Sequence, residues 1–115
     1  MKPALLSLGL LLGSFAAAAA EPDAQKGHAL ARNVCSACHV VEADQEAPPT
    51  LEPAAPDFPS IVGRPGTSAA SLRRFLQTTH TTIRTPKAMP KLHLVDEEIA
   101  DVAAFMMTLR RQPPS

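Results

Sequence analysis

Cys35-Ser36-Ala37-Cys38-His39 is the stretch that decides how this chain folds. It holds the only two cysteines of the sequence, and a histidine follows the second directly. Cys-x-x-Cys-His is the attachment signature of c-type haem: each thiol adds across a haem vinyl group, and the histidine takes one axial face of the iron. Drawing two covalent tethers and a ligand from one short run explains the tight spacing. Other chemistries of a Cys-x-x-Cys pair fit less well. A structural zinc site wants four Cys or His ligands, usually in two knuckles, and the chain has no second cysteine pair. A thioredoxin-like pair follows a buried strand in a βαβ pattern, but no β-rich run precedes Cys35. A disulfide across two residues closes too small a loop to restrict the chain much. The expected cofactor is one haem c, covalently bound through Cys35 and Cys38, with His39 on the iron.

The chain start agrees with that chemistry. Lys2 precedes the apolar stretch 4–12, and small residues run through Ala16 to Ala20. A charged start, a short hydrophobic core and an Ala-x-Ala ending describe a secretory signal peptide. Residues 1–20 are therefore expected to be cleaved after Ala20, leaving 21–115 as a haem domain in the periplasm. The rival is an uncleaved membrane anchor, but residues 1–20 are short for a span and only weakly apolar at their alanine-rich end. No permanent anchor is expected. Export matters because c-type haem is attached outside the bacterial cytoplasm.

The remaining domain has little apolar surface to bury for its length. It contains no Trp and no Tyr, and beyond the leader only Phe58, Phe75 and Phe105 are aromatic. A core so poor in large side chains suits a chain that folds around one large apolar plate. Lys plus Arg and Asp plus Glu are balanced at 11 each. With no basic aromatic platform, nucleic acid is excluded as a partner.

Periodicity and capping signals predict an all-α fold. Asp23 is a candidate N-cap for a helix over 24–34, with Gly27 marking a close contact and His28 on the outer face. Residues 40–59 carry Pro48, Pro49, Pro53, Pro56 and Pro59 among several acids, and read as an irregular loop wrapping one edge of the cofactor. A second helix is expected over 68–80, with Leu72, Phe75, Leu76 and Thr79 inward, and a further loop over 81–94. The last helix opens on Asp96, Glu97 and Glu98, where the helix dipole favours negative charge. Ile99, Val102, Ala103, Met106 and Leu109 form its stripe. Arg110 and Arg111 suit its end, and Pro113-Pro114 stops it.

An electron-transfer haem pairs its histidine with a second axial donor, commonly Met. The candidates are Met89, Met106, Met107, His28, His80 and His93. Met106 and Met107 fall in the apolar helix, where methionine is ordinary core filling. Met89 lies in the proline-braced run Pro86-Lys87-Ala88-Met89-Pro90, where no packing stripe explains it.

Taken together, these parts resemble class I cytochromes c, the small single-haem electron carriers. The resemblance covers essentially all of 21–115: first helix with Gly27, Cys35 to His39, Pro56-Asp57-Phe58, Met89-Pro90, and Asp101 to Phe105 in the last helix. It implies the cytochrome c fold, three to four helices wrapped around one covalently attached haem. It further implies Gly27 packed against Phe105, and the Pro56 carbonyl (or Pro59, if the loop is shifted) accepting a hydrogen bond from His39 Nδ1, which would fix that ring. Arg64, after Gly63, resembles the arginine that neutralises a haem propionate. Val95 departs from the usual Ser or Thr cap, leaving Asp96 to help.

The resemblance implies a one-electron carrier and not an enzyme, with His39 and Met89 retained on the iron in both oxidation states. Arg73, Arg74, Arg84, Lys87 and Lys91 fall in a stretch without an acidic residue. A basic surface around Lys87 and Lys91 would then steer acidic patches of redox partner proteins. Two other readings stay open. The domain would be the haem subunit of a periplasmic oxidoreductase if it stays bound to a catalytic partner, or a ligand-binding haem sensor if Met89 is labile.

Overall fold

Asp23 starts the first helix in the way its side chain suggests: Oδ1 accepts the backbone N–H of Gln25 at 2.9 Å and of Lys26 at 3.2 Å, satisfying two donors that have no partner inside the helix. In the computed structural model, which describes residues 13–16, 18, 20–78, 89–90 and 92–111, this helix is α1 (Ala24–Leu30). The periodicity predicted one helix to residue 34. Instead the coil widens into a π-helical turn over Ala31–Cys35, closed by Ser36 N–H on the Ala31 carbonyl at 3.1 Å. Such turns cost hydrogen-bond quality and recur at functional sites. This one delivers Cys35 directly into the haem-attachment signature.

The loop expected over 40–59 is irregular as far as Asp57, but its end is a correction. Phe58–Val62 forms a short helix, α2, with Pro59 in its first turn. Proline is a breaker only inside a helix; in the first turn its missing N–H costs nothing. Asp57 caps α2, accepting the Ser60 N–H at 2.7 Å and the Ser60 hydroxyl at 2.9 Å. Helix α3 (Ala69–Thr78) lies within the expected span, and residues 79 and 80 are outside the described residues. Ser68 and Ser71 brace its start reciprocally, each hydroxyl accepting the other's backbone N–H, at 2.9 and 3.1 Å.

Helix α4 (Asp96–Leu109) is the hub, burying seven of its residues. Its N-terminus is secured by Glu98, whose carboxylate accepts the Val95 N–H at 3.0 Å. Asp96, expected to help cap, instead accepts from Gln77 of α3 at 3.1 Å. Helix α1 crosses α4 so closely at Gly27 that an added Cβ would collide with the Asp101 carbonyl. Beside the crossing, the buried Asp101 carboxylate accepts the Asp23 N–H at 2.7 Å. The contact at Gly27 therefore lies one turn before Phe105. The Phe105 ring stacks on His28 at 4.6 Å, with 22° between the planes. His28 is thus not an outer-face residue: it lies between Phe105 and Glu42, whose carboxylate also receives Arg32 Nε at 3.3 Å.

All regular structure among the described residues is helical, as the sequence predicted. The core gathers Val41, Phe58, Val62, Val102, Phe105 and Met106, drawn from α2, α4 and the segment after the signature.

Candidate haem-binding site

The Cys35–His39 turn is held by its own backbone. Cys38 N–H and His39 N–H both donate to the Cys35 carbonyl, at 3.1 and 2.9 Å. The acidic loop is then laced onto the same segment. Thr50 and Leu51 N–H reach the Ala37 carbonyl at 2.9 and 3.1 Å, Ala55 N–H the Cys38 carbonyl at 2.8 Å, and Phe58 N–H the Val40 carbonyl at 2.9 Å. These bonds pull Pro56 over the histidine. His39, 8% exposed, donates from Nδ1 to the Pro56 carbonyl oxygen at 2.6 Å. A carbonyl only accepts, so Nδ1 carries a proton, and in the neutral ring Nε2 is the nitrogen left with a lone pair. The Phe58 ring, 5.5 Å away and tilted by 52°, walls the imidazole on a further side.

His39 borders a cavity of about 500 Å³, within the roughly 300–1,000 Å³ typical of cofactor-sized sites. Cys35, Cys38 and His39 share its lining with Met89 and Pro90. Leu51, Ala55 and Pro56 come from the laced loop, and Leu72, Phe75 and Leu76 from α3. Val102 and Met106 of α4 close it, and Arg64, Thr67 and Ser71 are its polar contributors.

The other candidate ligands fall elsewhere. Met107 packs against the core, His93 is exposed, and His28 stacks on Phe105; none lines the cavity. Met106 does so as a core residue, 4% exposed. His80, Arg84, Lys87 and Lys91 lie outside the described residues, and with them the expected docking surface.

The thiols are not bridged to each other. Burial, reinforced by neighbouring Cys38, pushes the Cys35 thiol up to about 11. A thiol–disulfide catalyst needs the opposite shift, because the thiolate is the attacking species. The residues present fit a haem instead: two thiols for the vinyl groups, an imidazole with Nε2 available, a thioether in the same cavity, apolar walls, and a guanidinium for the carboxylate edge.

A helical fold that collects this donor set in one cavity defines a haem protein of the c type. The match to known families agrees: a family model describing cytochrome c covers residues 24–110, and the chain belongs to the cytochrome c family. It is also similar to a cytochrome c4 from Thiocapsa roseopersicina, at 34% identity over 102 residues. That alignment takes in 88% of this chain and 47% of the relative, so the chain spans about half the length of the curated protein it matches. No solved structure matches.

Sequence reasoning missed two contributors to the site's frame. Asp57 as the cap of α2 was readable, since an Asp two positions before a proline is a helix-start signal. Arg110 was not. Its Nε and Nη2 donate to the Val62 carbonyl at 2.9 and 2.6 Å, and Nη2 also to the Thr67 carbonyl at 2.9 Å. Nothing local relates it to residues more than forty positions earlier in the chain.

Proposed function

We propose that this chain is an exported one-electron carrier with a single haem c, tethered through Cys35 and Cys38 and ligated by His39 and Met89. The observation that carries the reading is the His39–Pro56 hydrogen bond, which leaves Nε2 available in a cavity that Met89 also lines. A bound haem would supply an Fe(III)/Fe(II) couple, and ligation by the Met89 thioether together with the His39 imidazole would bias it toward the reduced state. The protein's part is to keep both ligands in place. Pro56 and Phe58 hold the imidazole plane, and the apolar walls limit water.

Only one attachment signature occurs in the chain, which supports a single haem. The leader-like residues 1–20 support export, cleavage and a periplasmic domain over 21–115. Among the described residues, no helix is long and apolar enough to cross a membrane. A basic surface around Lys87 and Lys91 remains our reading of where acidic redox partners dock, through residues beside Met89 in sequence.

A redox titration of the purified protein, followed by exposure of the reduced form to carbon monoxide, tests the reading. A reversible one-electron wave without carbon monoxide binding is expected. Rapid carbon monoxide binding would mean that Met89 yields its place and the domain senses a ligand. Recovery only in complex with a catalytic subunit would make it part of an oxidoreductase.

A further inference from the structure

We propose that Arg110 is a positioning residue: it clamps the turn 62–67 from the end of α4 and thereby holds Arg64 at the haem cavity. The inference rests on the haem reading above. Its geometry is a single guanidinium bonded to both ends of one turn, Val62 on one side and Thr67 on the other. Arg64 lies between those anchors and lines the cavity together with Thr67.

The turn is built to be held from its ends. Gly63 N–H reaches the Pro59 carbonyl at 3.0 Å, Arg64 N–H the Ile61 carbonyl at 3.3 Å, and Thr67 N–H the Arg64 carbonyl at 3.3 Å. The Thr67 hydroxyl donates to the Ile61 carbonyl at 3.1 Å. Gly66 adopts φ 79°, a conformation that side chains disfavour. These bonds fix the turn's shape but tie it only to α2. Arg110 ties it to α4, the helix locked on α1 at Gly27. The planar fork matters here. Lysine carries the same charge as a point on a flexible stem and does not hold two carbonyls in a set geometry. Arg110 thus acts on the cofactor through Arg64, whose position sets how strongly its charge is felt at the carboxylate edge.

The test measures midpoint potentials of the wild type, Arg110→Lys, Arg64→Gln and the double variant, with amide hydrogen exchange of the turn as a second readout. Removing the Arg64 charge should lower the potential, shifting the electron-exchange constant about threefold, or roughly 28 mV at about 59 mV per tenfold. Arg110→Lys, which conserves charge, should shift it in the same direction by less. In the Arg64→Gln background it should shift nothing. Exchange should quicken at Arg64 and Thr67 and stay unchanged at Val102. A wild-type potential in Arg110→Lys overturns the proposal, as does an equal shift in both backgrounds, or an Arg64→Gln protein with the wild-type potential. If the wild type binds no haem, it is the functional reading that fails. The clamp is then judged on exchange alone, and unaltered protection of the turn in Arg110→Lys would refute it.

Discussion

The two walls of the cavity are made differently. The His39 wall is fastened by contacts of the chain with itself: the laced loop, the Pro56 carbonyl, the Phe58 ring, and behind it Phe105, 6.4 Å from Phe58. The α3 wall faces the cavity with the apolar side chains of Leu72, Phe75 and Leu76. One wall holds the His39 imidazole through the chain's own hydrogen bond; the other presents apolar surface to a cavity whose lining also includes Met89. The His39 wall should accordingly govern whether the domain folds, and Met89 should govern what the loaded iron does.

Breaking the frame behind the His39 wall should have the largest effect. Gly27→Val places a branched side chain against the Asp101 backbone, and overpacking there should cost on the order of 3 kcal/mol or more. That is a large fraction of the roughly 5–15 kcal/mol that stabilises a domain. Denaturant unfolding would measure it, and a wild-type midpoint would erase the contrast between the walls. His39→Ala should come next: both thiols remain, so covalent haem is still detected after denaturing electrophoresis, but the native ferric and ferrous spectra are lost.

Met89→Ala should act on the haem chemistry alone, keeping the haem and the fold while the potential falls. Loss of the proposed thioether ligand should shift the exchange constant about tenfold or more, roughly 59 mV at least. A collapse of folding in this variant would show that the two roles are not separable. The smallest effect should come from Asp57→Ala, at about 1 kcal/mol for a lost helix cap. The Ser60 N–H holds the Asp57 carboxyl below its ordinary value. Because the folded value is the lower one, the cap's contribution is present above about pH 4 and is lost as pH falls through the folded value. The stability gap between wild type and Asp57→Ala should therefore narrow under acid.

The same contrast marks what was legible in the sequence. Cys35, Cys38 and His39 form a local signature, and α4 announces itself through acids at its start and a long apolar stripe, so both were readable directly. The all-α fold followed from the periodicity. The π turn over Ala31–Cys35 leaves no periodic trace because it ends the helical stretch, so no further turn follows to show the phase shift of its extra residue. Pro59 was read as a breaker when its position after Asp57 made it a helix starter. His28 looked solvent-facing because only the close crossing at Gly27 brings Phe105 to it, and a crossing is a tertiary event. Arg110 escaped for the same reason: its partners are carbonyls, which every residue has, so no side-chain pattern points to Val62 and Thr67.

The most direct test of the His39/Met89 site is the far-red absorption of the ferric protein, where a methionine–iron bond gives a weak band. It should be present in the wild type and in Met106→Ala and absent in Met89→Ala. A wild-type protein that carries haem without the band, or a band that survives Met89→Ala, would contradict the account.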